Sequence, residues 1–202
     1  MKTEIIPASE IQIAFEILQN GGIVAFPTDT VYGLGALAFD NNAINSIYIA
    51  KNRPIEKAIP ILIGDLSDLD QVASDIPNMA LRFAARFWPG PLTCIVPKKL
   101  TLPLAVSATS TIAVRIPDHN DARALLRLAG PMAVTSANIS GGTNPTSAQE
   151  VYQQLNGRIP IILDGGSTKG GVPSTLVDCT GEKPAILREG PISLDELMAV
   201  YR

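Results

Sequence analysis

The feature that most restricts how this chain can fold is a set of short, mainly apolar runs, most of them cut off by proline or by polar residues. Ile23 to Phe26 follows Gly22 and stops at Pro27, and similar runs stand at 58–63, 93–97, 112–116, 132–136 and 159–163. Runs this short and this apolar suit strands covered on both faces. Segments with helical spacing lie between them. Ser9 and Gln12 make a capping-box pattern that opens a helix over 9–20, with Ile11, Ala14, Phe15 and Leu18 on one face. Helices are also predicted over 41–52, closed by Arg53 and Pro54, over 77–87, over 120–128, from a Thr146/Gln149 cap to Leu155, and after a Ser193/Glu196 cap. Two further strands, 174–179 and 185–189, follow closely on one another. The pattern predicts an α/β fold whose sheet mixes parallel and antiparallel neighbours between flanking helices. No repeat or linker divides the 202 residues, so a single domain over 1–202 is expected.

Composition narrows the function. Hydrophobic residues make up 46% and charged residues 17%, against about 25% charged in ordinary globular chains, which excludes a disordered protein. The formal net charge is −3, so the basic excess of a dedicated nucleic-acid binder is missing and any phosphate chemistry has to be local. Glu4 and Pro7 interrupt the N-terminal segment, and no run of about 18 apolar residues occurs. A cytoplasmic protein with no membrane partner is expected. Cys94 and Cys179 stand 85 positions apart without a second pair, which predicts two buried thiols rather than a disulfide framework or a zinc site. His119, the only histidine, reads as a surface turn or helix-cap residue.

Candidate binding residues gather where strands end, the edge at which α/β folds hold ligands. Pro27 stops its strand and is expected to expose Thr28, Asp29 and Thr30; the alternative is a turn in which these side chains cap their own backbone. Lys51, Arg53 and Lys57 read either as a polyphosphate clamp or as a solvated helix end. Arg115 lies inside an apolar strand, so its guanidinium has to meet an anion: Asp29, Asp178 or a ligand carboxylate. Arg188 raises the same question. From Leu128 to Gln149 no residue is charged, yet Thr135, Ser136, Asn138, Ser140, Thr143, Asn144, Thr146 and Ser147 supply neutral hydrogen-bonding groups. The chain has no P-loop, dinucleotide fingerprint or nucleophile elbow. Lys169 in GGSTKGG is out of order for a P-loop, and 165–171 is expected to be a mobile loop.

Taken in order, GGIVAFPTDTVYGLG, KNRP, WPGPLT, VRIP, SANISG, PSTLVD and LREG closely resemble the YrdC-like family of threonylcarbamoyl-AMP synthases, from about residue 9 to residue 190. The resemblance implies a twisted α/β sheet with a large concave ligand-binding face. It implies a nucleotidyltransferase that forms threonylcarbamoyl-AMP, pyrophosphate and water from L-threonine, bicarbonate and ATP, with Mg²⁺ accompanying the ATP and no dedicated protein metal site. Downstream, a tRNA threonylcarbamoyl transferase machinery takes the product. Carried over by motif, the catalytic signature falls on Lys51, Arg53, Ser136 and Asn138, the ATP contacts on Arg53, Lys57, Thr111, Ser136, Asn144 and Arg188, and the threonine contacts on Thr30, Arg115 and Ser174. Longer members place a threonine-binding histidine where this chain has Leu62, and carry a further C-terminal domain. Two alternatives stand beside this reading: an RNA-binding module using the concave face, and a paralogue of the same fold with a different carbamoyl substrate.

Overall fold

The computed structural model describes residues 2–202. Its strands are β1 (Glu4–Pro7), β2 (Val24–Phe26), β3 (Gly33–Leu37), β4 (Ile61–Leu62), β5 (Leu92–Pro97), β6 (Thr111–Arg115), β7 (Met132–Ser136), β8 (Ile161–Asp164), β9 (Thr175–Asp178) and β10 (Ala185–Arg188). Its helices are α1 (Ile11–Gln19), α2 (Asn41–Lys51), α3 (Leu69–Val72), α4 (Asn78–Phe87), α5 (Asn120–Ala129), α6 (Ala148–Leu155) and α7 (Leu194–Tyr201). The strands form one sheet in the order β1-β8-β2-β3-β7-β4-β6-β5-β9-β10. Parallel pairs (β1 with β8, β4 with β6) and antiparallel pairs (β2 with β3, β5 with β6) both occur along it, the mixture the sequence predicts.

Local signals explain most boundaries. Asp40 caps α2 by accepting from the backbone N–H groups of Asn42 and Ala43, and the Ser193/Glu196 capping box opens α7 as read from the sequence. Three expectations need correction. Ser9 does not cap α1, whose N-cap is Glu10 with no side-chain bond. The α6 cap is Ser147, which accepts from Glu150 N, while Thr146 pairs with the Glu150 carboxylate instead. Helix α2 ends because Asn52 takes a left-handed conformation with φ 51°, which asparagine tolerates better than most residues, before Pro54 can act.

Strands β1 and β3 have no counterpart in the sequence reading. Strand β3 is hidden by Gly33 and Gly35, residues that weaken any strand signal. Both are there for closeness: a Cβ at Gly33 would come within 2.7 Å of Val134 Cγ1, and one at Gly35 within 2.8 Å of Met132 Cε. These glycines let β7 side chains pack directly on the β3 backbone.

The sheet carries two apolar cores. On one face α2, α4, α6 and α7 cover it, and Ile47, Phe83, Val151 and Leu197 meet Ile61, Val114 and Val177. Cys94 and Cys179 are buried in this layer as free thiols, as predicted; the neighbouring Cys179 thiol and burial hold Cys94 well above its ordinary pKa. On the other face α1 and α5 pack Leu18, Leu125 and Leu126 against Phe26, Met132 and Leu163. This second core takes side chains from β2, β4, β7 and β8 and none from β5, β6, β9 or β10. Half of that face is therefore bare of helices. No helix among the described residues is long and apolar enough to cross a membrane.

Candidate active site

The bare half-face forms the floor of a cleft of about 510 Å³. Alternation along each strand decides what faces it. In β5, Leu92, Cys94 and Val96 enter the core and Thr93 and Ile95 line the cleft; in β6, Ile112 and Val114 enter the core and Ala113 and Arg115 line the cleft. Leu62, Val134 and Leu176 continue the apolar floor. Arg53, Arg115 and Arg188 supply the charge, and no aspartate or glutamate lines the cavity.

Arg115 is 5% exposed. Its Nε donates to the Gly90 carbonyl at 2.9 Å, its Nη1 donates to Thr30 Oγ1 at 3.0 Å, and its Nη2 is ion-paired with Asp29. Asp29 is thus the anion that the buried strand arginine requires. Asp178, the other protein candidate, instead accepts from the N–H and hydroxyl of Thr180. Burial lowers the Arg115 pKa and Asp29 offsets part of that. Arg188 holds the Ser174 carbonyl from Nε and Nη2 at 3.0 and 2.8 Å. Burial, and then repulsion by Arg115, lowers its pKa. Two guanidiniums that repel each other in a partly desolvated cleft, only one of them paired with a carboxylate, leave an unmet demand for negative charge.

Thr28 and Thr30 are buried rather than exposed, at 4% and 3%. Thr28 Oγ1 donates to the Val31 carbonyl at 2.6 Å and accepts from the N–H groups of Thr30 and Val31, so the turn caps itself. Both threonines also line the cleft, and the two readings of this segment hold together.

Of the residues singled out from the sequence, Thr30, Arg53, Thr111, Arg115, Ser136, Asn144, Ser174 and Arg188 share this one cavity. Lys51, Lys57 and Asn138 stand outside its lining. Lys51 is 1% exposed and neither a clamp open to ligand nor a solvated helix end: its Nζ donates to the carbonyls of Ser136 and Asn138. Burial, and then Arg53, brings its pKa down to about 7. Asn138 Nδ2 donates to the carbonyls of Ile139 and Gly142, both at 2.8 Å. Lys51 and Asn138 thus brace the loop that presents Ser136 and Asn144. Lys57 contributes its backbone: its carbonyl and that of Ala58 accept from Arg53 Nε and Nη2 at 3.2 and 2.8 Å, which aims the Arg53 guanidinium.

The uncharged 128–149 segment divides by role. Thr135, Ser136 and Asn144 reach the cleft, the Thr143 carbonyl accepts from Gln154, and Ser147 caps α6. The 165–171 loop, expected to be mobile, is tied down. Gly171 N donates to the Thr30 carbonyl, Thr168 N to the Thr146 carbonyl, and the Tyr32 hydroxyl to the Gly166 carbonyl. His119 is the N-cap residue of α5, outside the cleft, with Nδ1 4.0 Å from Asp121 Oδ2. Sequence reasoning did not single out Thr93, although its polar side chain between Leu92 and Cys94 marks the outward phase of β5.

The Sua5/YciO/YrdC family model, described as telomere recombination, matches residues 16–190. The chain belongs to this family. A threonylcarbamoyl-AMP synthase of Pyrococcus abyssi is 45% identical over 95% of the chain, which spans 57% of that relative's length. Among solved structures, Pyrococcus abyssi Sua5 complexed with L-threonine superposes with a TM-score of 0.93 at 44% identity, over 98% of this chain and 59% of that one. Escherichia coli YciO, another family member, superposes with a TM-score of 0.85 at 29% identity, over 97% and 98% of the two chains. The fold expected from the family resemblance is the fold observed.

Proposed function

We propose that this protein is a threonylcarbamoyl-AMP synthase, which makes threonylcarbamoyl-AMP, pyrophosphate and water from L-threonine, bicarbonate and ATP. The observation that carries the reading is the convergence of Arg53, Arg115 and Arg188, from three separate elements, on one hydroxyl-lined cleft without an acidic lining residue. The match to synthases and to a threonine-bound family member supports the choice of substrate.

The chemistry asks for positioning more than for proton transfer. Bicarbonate and the threonine amine give an N-carboxylate; its oxygen attacks the α-phosphorus of ATP, and pyrophosphate leaves. In this reading Arg115, Thr30 and Ser174 hold the amino acid, and Arg53, Thr111, Ser136, Asn144 and Arg188 hold ATP. A guanidinium offers a planar fork of donors to carboxylate or phosphate, and charge-assisted bonds of this kind are the strong ones. Lys51, Asn138 and the Lys57 backbone act one step back, by fixing Ser136 and Arg53. The cleft's guanidiniums, hydroxyls and amide suit phosphate oxygens rather than a cation, so Mg²⁺ would accompany ATP and would supply charge neutralisation at its phosphates, while Arg53 and Arg188 hold the same oxygens. The product, an activated carbamoyl ester of AMP, is consumed by a transferase that modifies tRNA.

The test supplies ATP, Mg²⁺, L-threonine and ¹³C-bicarbonate, and follows pyrophosphate together with the mass of the adenylate. Pyrophosphate release that needs all three substrates, with one ¹³C in the product, is expected. Release that ignores threonine moves the chain to the paralogue with another carbamoyl substrate, and salt-dependent RNA binding without turnover favours the RNA-binding alternative.

A further inference from the structure

We infer that Lys98 is a positioning residue for the nucleotide end of the cleft: from behind, it holds the 107–111 segment, whose Ser107 and Thr109 hydroxyls meet ATP beside Thr111 and Arg53. That the ligand at this end is ATP rests on the synthase reading above. The brace itself is independent of that reading.

Strand β6 gives the cleft a direction. Thr111, Ala113 and Arg115 all line it, since alternate residues of a strand share a face. Thr111 and Arg115 stand about 13 Å apart, four residues at roughly 3.3 Å each. The Arg115 end carries Thr30 and Asp29. At the other end Ser107, Thr109 and Thr111 line the cavity. Ser107 Oγ donates to the Thr111 carbonyl at 2.9 Å and lies 2.9 Å from Thr109 Oγ1. Ile59 N donates to the Val106 carbonyl at 2.9 Å, and the adjacent Ala58 carbonyl accepts from Arg53, so the Arg53 guanidinium stands at this same end.

Lys98 grips the segment at two points. Its backbone N–H donates to the Ser110 carbonyl at 2.8 Å, and its Nζ donates to the Ser107 carbonyl at 2.5 Å. It stands one residue past the end of β5 and continues the phase of Cys94 and Val96, which enters the core; it does not line the cleft. Lys98 is 9% exposed, and among the described residues no carboxylate lies within ion-pair distance of it. A buried ammonium on one neutral carbonyl is unfavourable, and a methionine of similar length would fill the same space without that penalty. What the lysine supplies is the position of Ser107. Lys51 acts in the same way on the carbonyls of Ser136 and Asn138. Two walls of the nucleotide end are thus each pinned by a buried lysine that touches backbone rather than ligand.

Lys98→Met, which leaves the N–H to Ser110 in place, separates position from stability. Its thermal midpoint should not fall. In pyrophosphate release, KM for ATP is expected to rise about tenfold and KM for threonine to stay within about twofold, because threonine is held at the far end. Thr109→Val, at an exposed position, should raise KM for ATP about threefold. Combined with Lys98→Met, the rise should be smaller than the product of the two, since Lys98 acts only through this segment. A parental KM for ATP in Lys98→Met, an equal loss for threonine, multiplying losses in the double variant, or a lowered midpoint overturns the inference. Hydrogen exchange over 107–111 reads the brace without substrate: about tenfold faster exchange in Lys98→Met is expected, and unchanged exchange overturns it. Failure of the unmodified protein to bind ATP overturns the synthase reading instead, and the exchange rates then decide the brace separately.

Discussion

The two halves of one sheet face are built from the same alternating strands and put to opposite uses. Under α1 and α5 the outward side chains are Phe26, Met132 and Leu163, and they close into a core. Beyond β4 the outward phase carries Thr93, Arg115 and Leu176, and no helix covers them. The opposite face is apolar from end to end. Stability and binding are therefore assigned by phase along each strand rather than by region of the chain, and Arg115 can sit one residue from fully buried Val114 without disturbing it.

The sharpest way to break this comparison is at Arg115. Arg115→Ala should lower threonine-dependent pyrophosphate release on the order of a hundredfold. It also strands Asp29, at a cost of about 3 to 5 kcal/mol when one partner of a buried pair is removed. Adding Asp29→Ala should recover stability, read by denaturant melts, without recovering activity. A double variant that regained both would make the pair purely structural.

The covered half should answer in the opposite sense. Leu126 on α5 is fully buried, and Leu126→Ala should cost about 2 to 5 kcal/mol through the lost contacts and the cavity left behind. Turnover per folded molecule at low temperature should be unchanged. A selective loss of kcat would show that the helical layer also shapes the cleft.

Lys51 lies between the two behaviours. Its pKa is brought down to about 7 in the fold from an ordinary value of 10.5, so between those pH values the unfolded chain binds a proton that the native state does not. Stability should therefore rise with pH across that window, and Lys51→Met should flatten the rise. The same variant should weaken ATP binding about tenfold by freeing the carbonyls that hold Ser136 in place. Unchanged ATP affinity would separate the brace from the site.

The smallest effect is expected at the rim of the covered half, where Asp65 accepts from Arg127 Nε and Nη2 at 2.7 Å and from Arg123 Nη2 at 2.8 Å. Arg127 foremost, and Arg123, hold the Asp65 pKa at about 2, below its ordinary 3.8. This contribution is present above pH 4 and is lost as pH falls from about 4 to about 2. Asp65→Asn should remove that acid-sensitive part of the melting curve and cost less than about 1 kcal/mol at neutral pH, since the pair is solvent-screened.

Much of this was legible in the residues. The short apolar runs marked the strands, the capping box at Ser193 marked α7, and an arginine inside an apolar strand demanded an anion and found one in Asp29. What was hidden was hidden for physical reasons. Gly33 and Gly35 erase the strand signal because their purpose is close approach, and β1 carries a pattern too short to separate from a loop. Lys51 shows the limit of reading charge from sequence. Beside Arg53 it looked like part of a cationic clamp, but two carbonyls supplied by residues 85 and 87 positions further along draw it inward.

The place of β8 in the sheet has a consequence for how the chain reaches this state. Strand β8 lies between β1 and β2 and pairs in parallel with both, joining Ile5 to Ile162 and Ala25 to Ile162, and Thr3 Oγ1 donates to the Ile159 carbonyl. During synthesis the two N-terminal strands therefore leave the ribosome long before the strand that joins them, and each keeps an unpaired edge until residue 164 has emerged. Pairing across so much chain is slow, because the entropy of closing the loop is lost before any contact offsets it. The layer beneath α1 therefore stays incomplete through the synthesis of β3 to β7, and exposed edges make the nascent chain vulnerable to association during that interval.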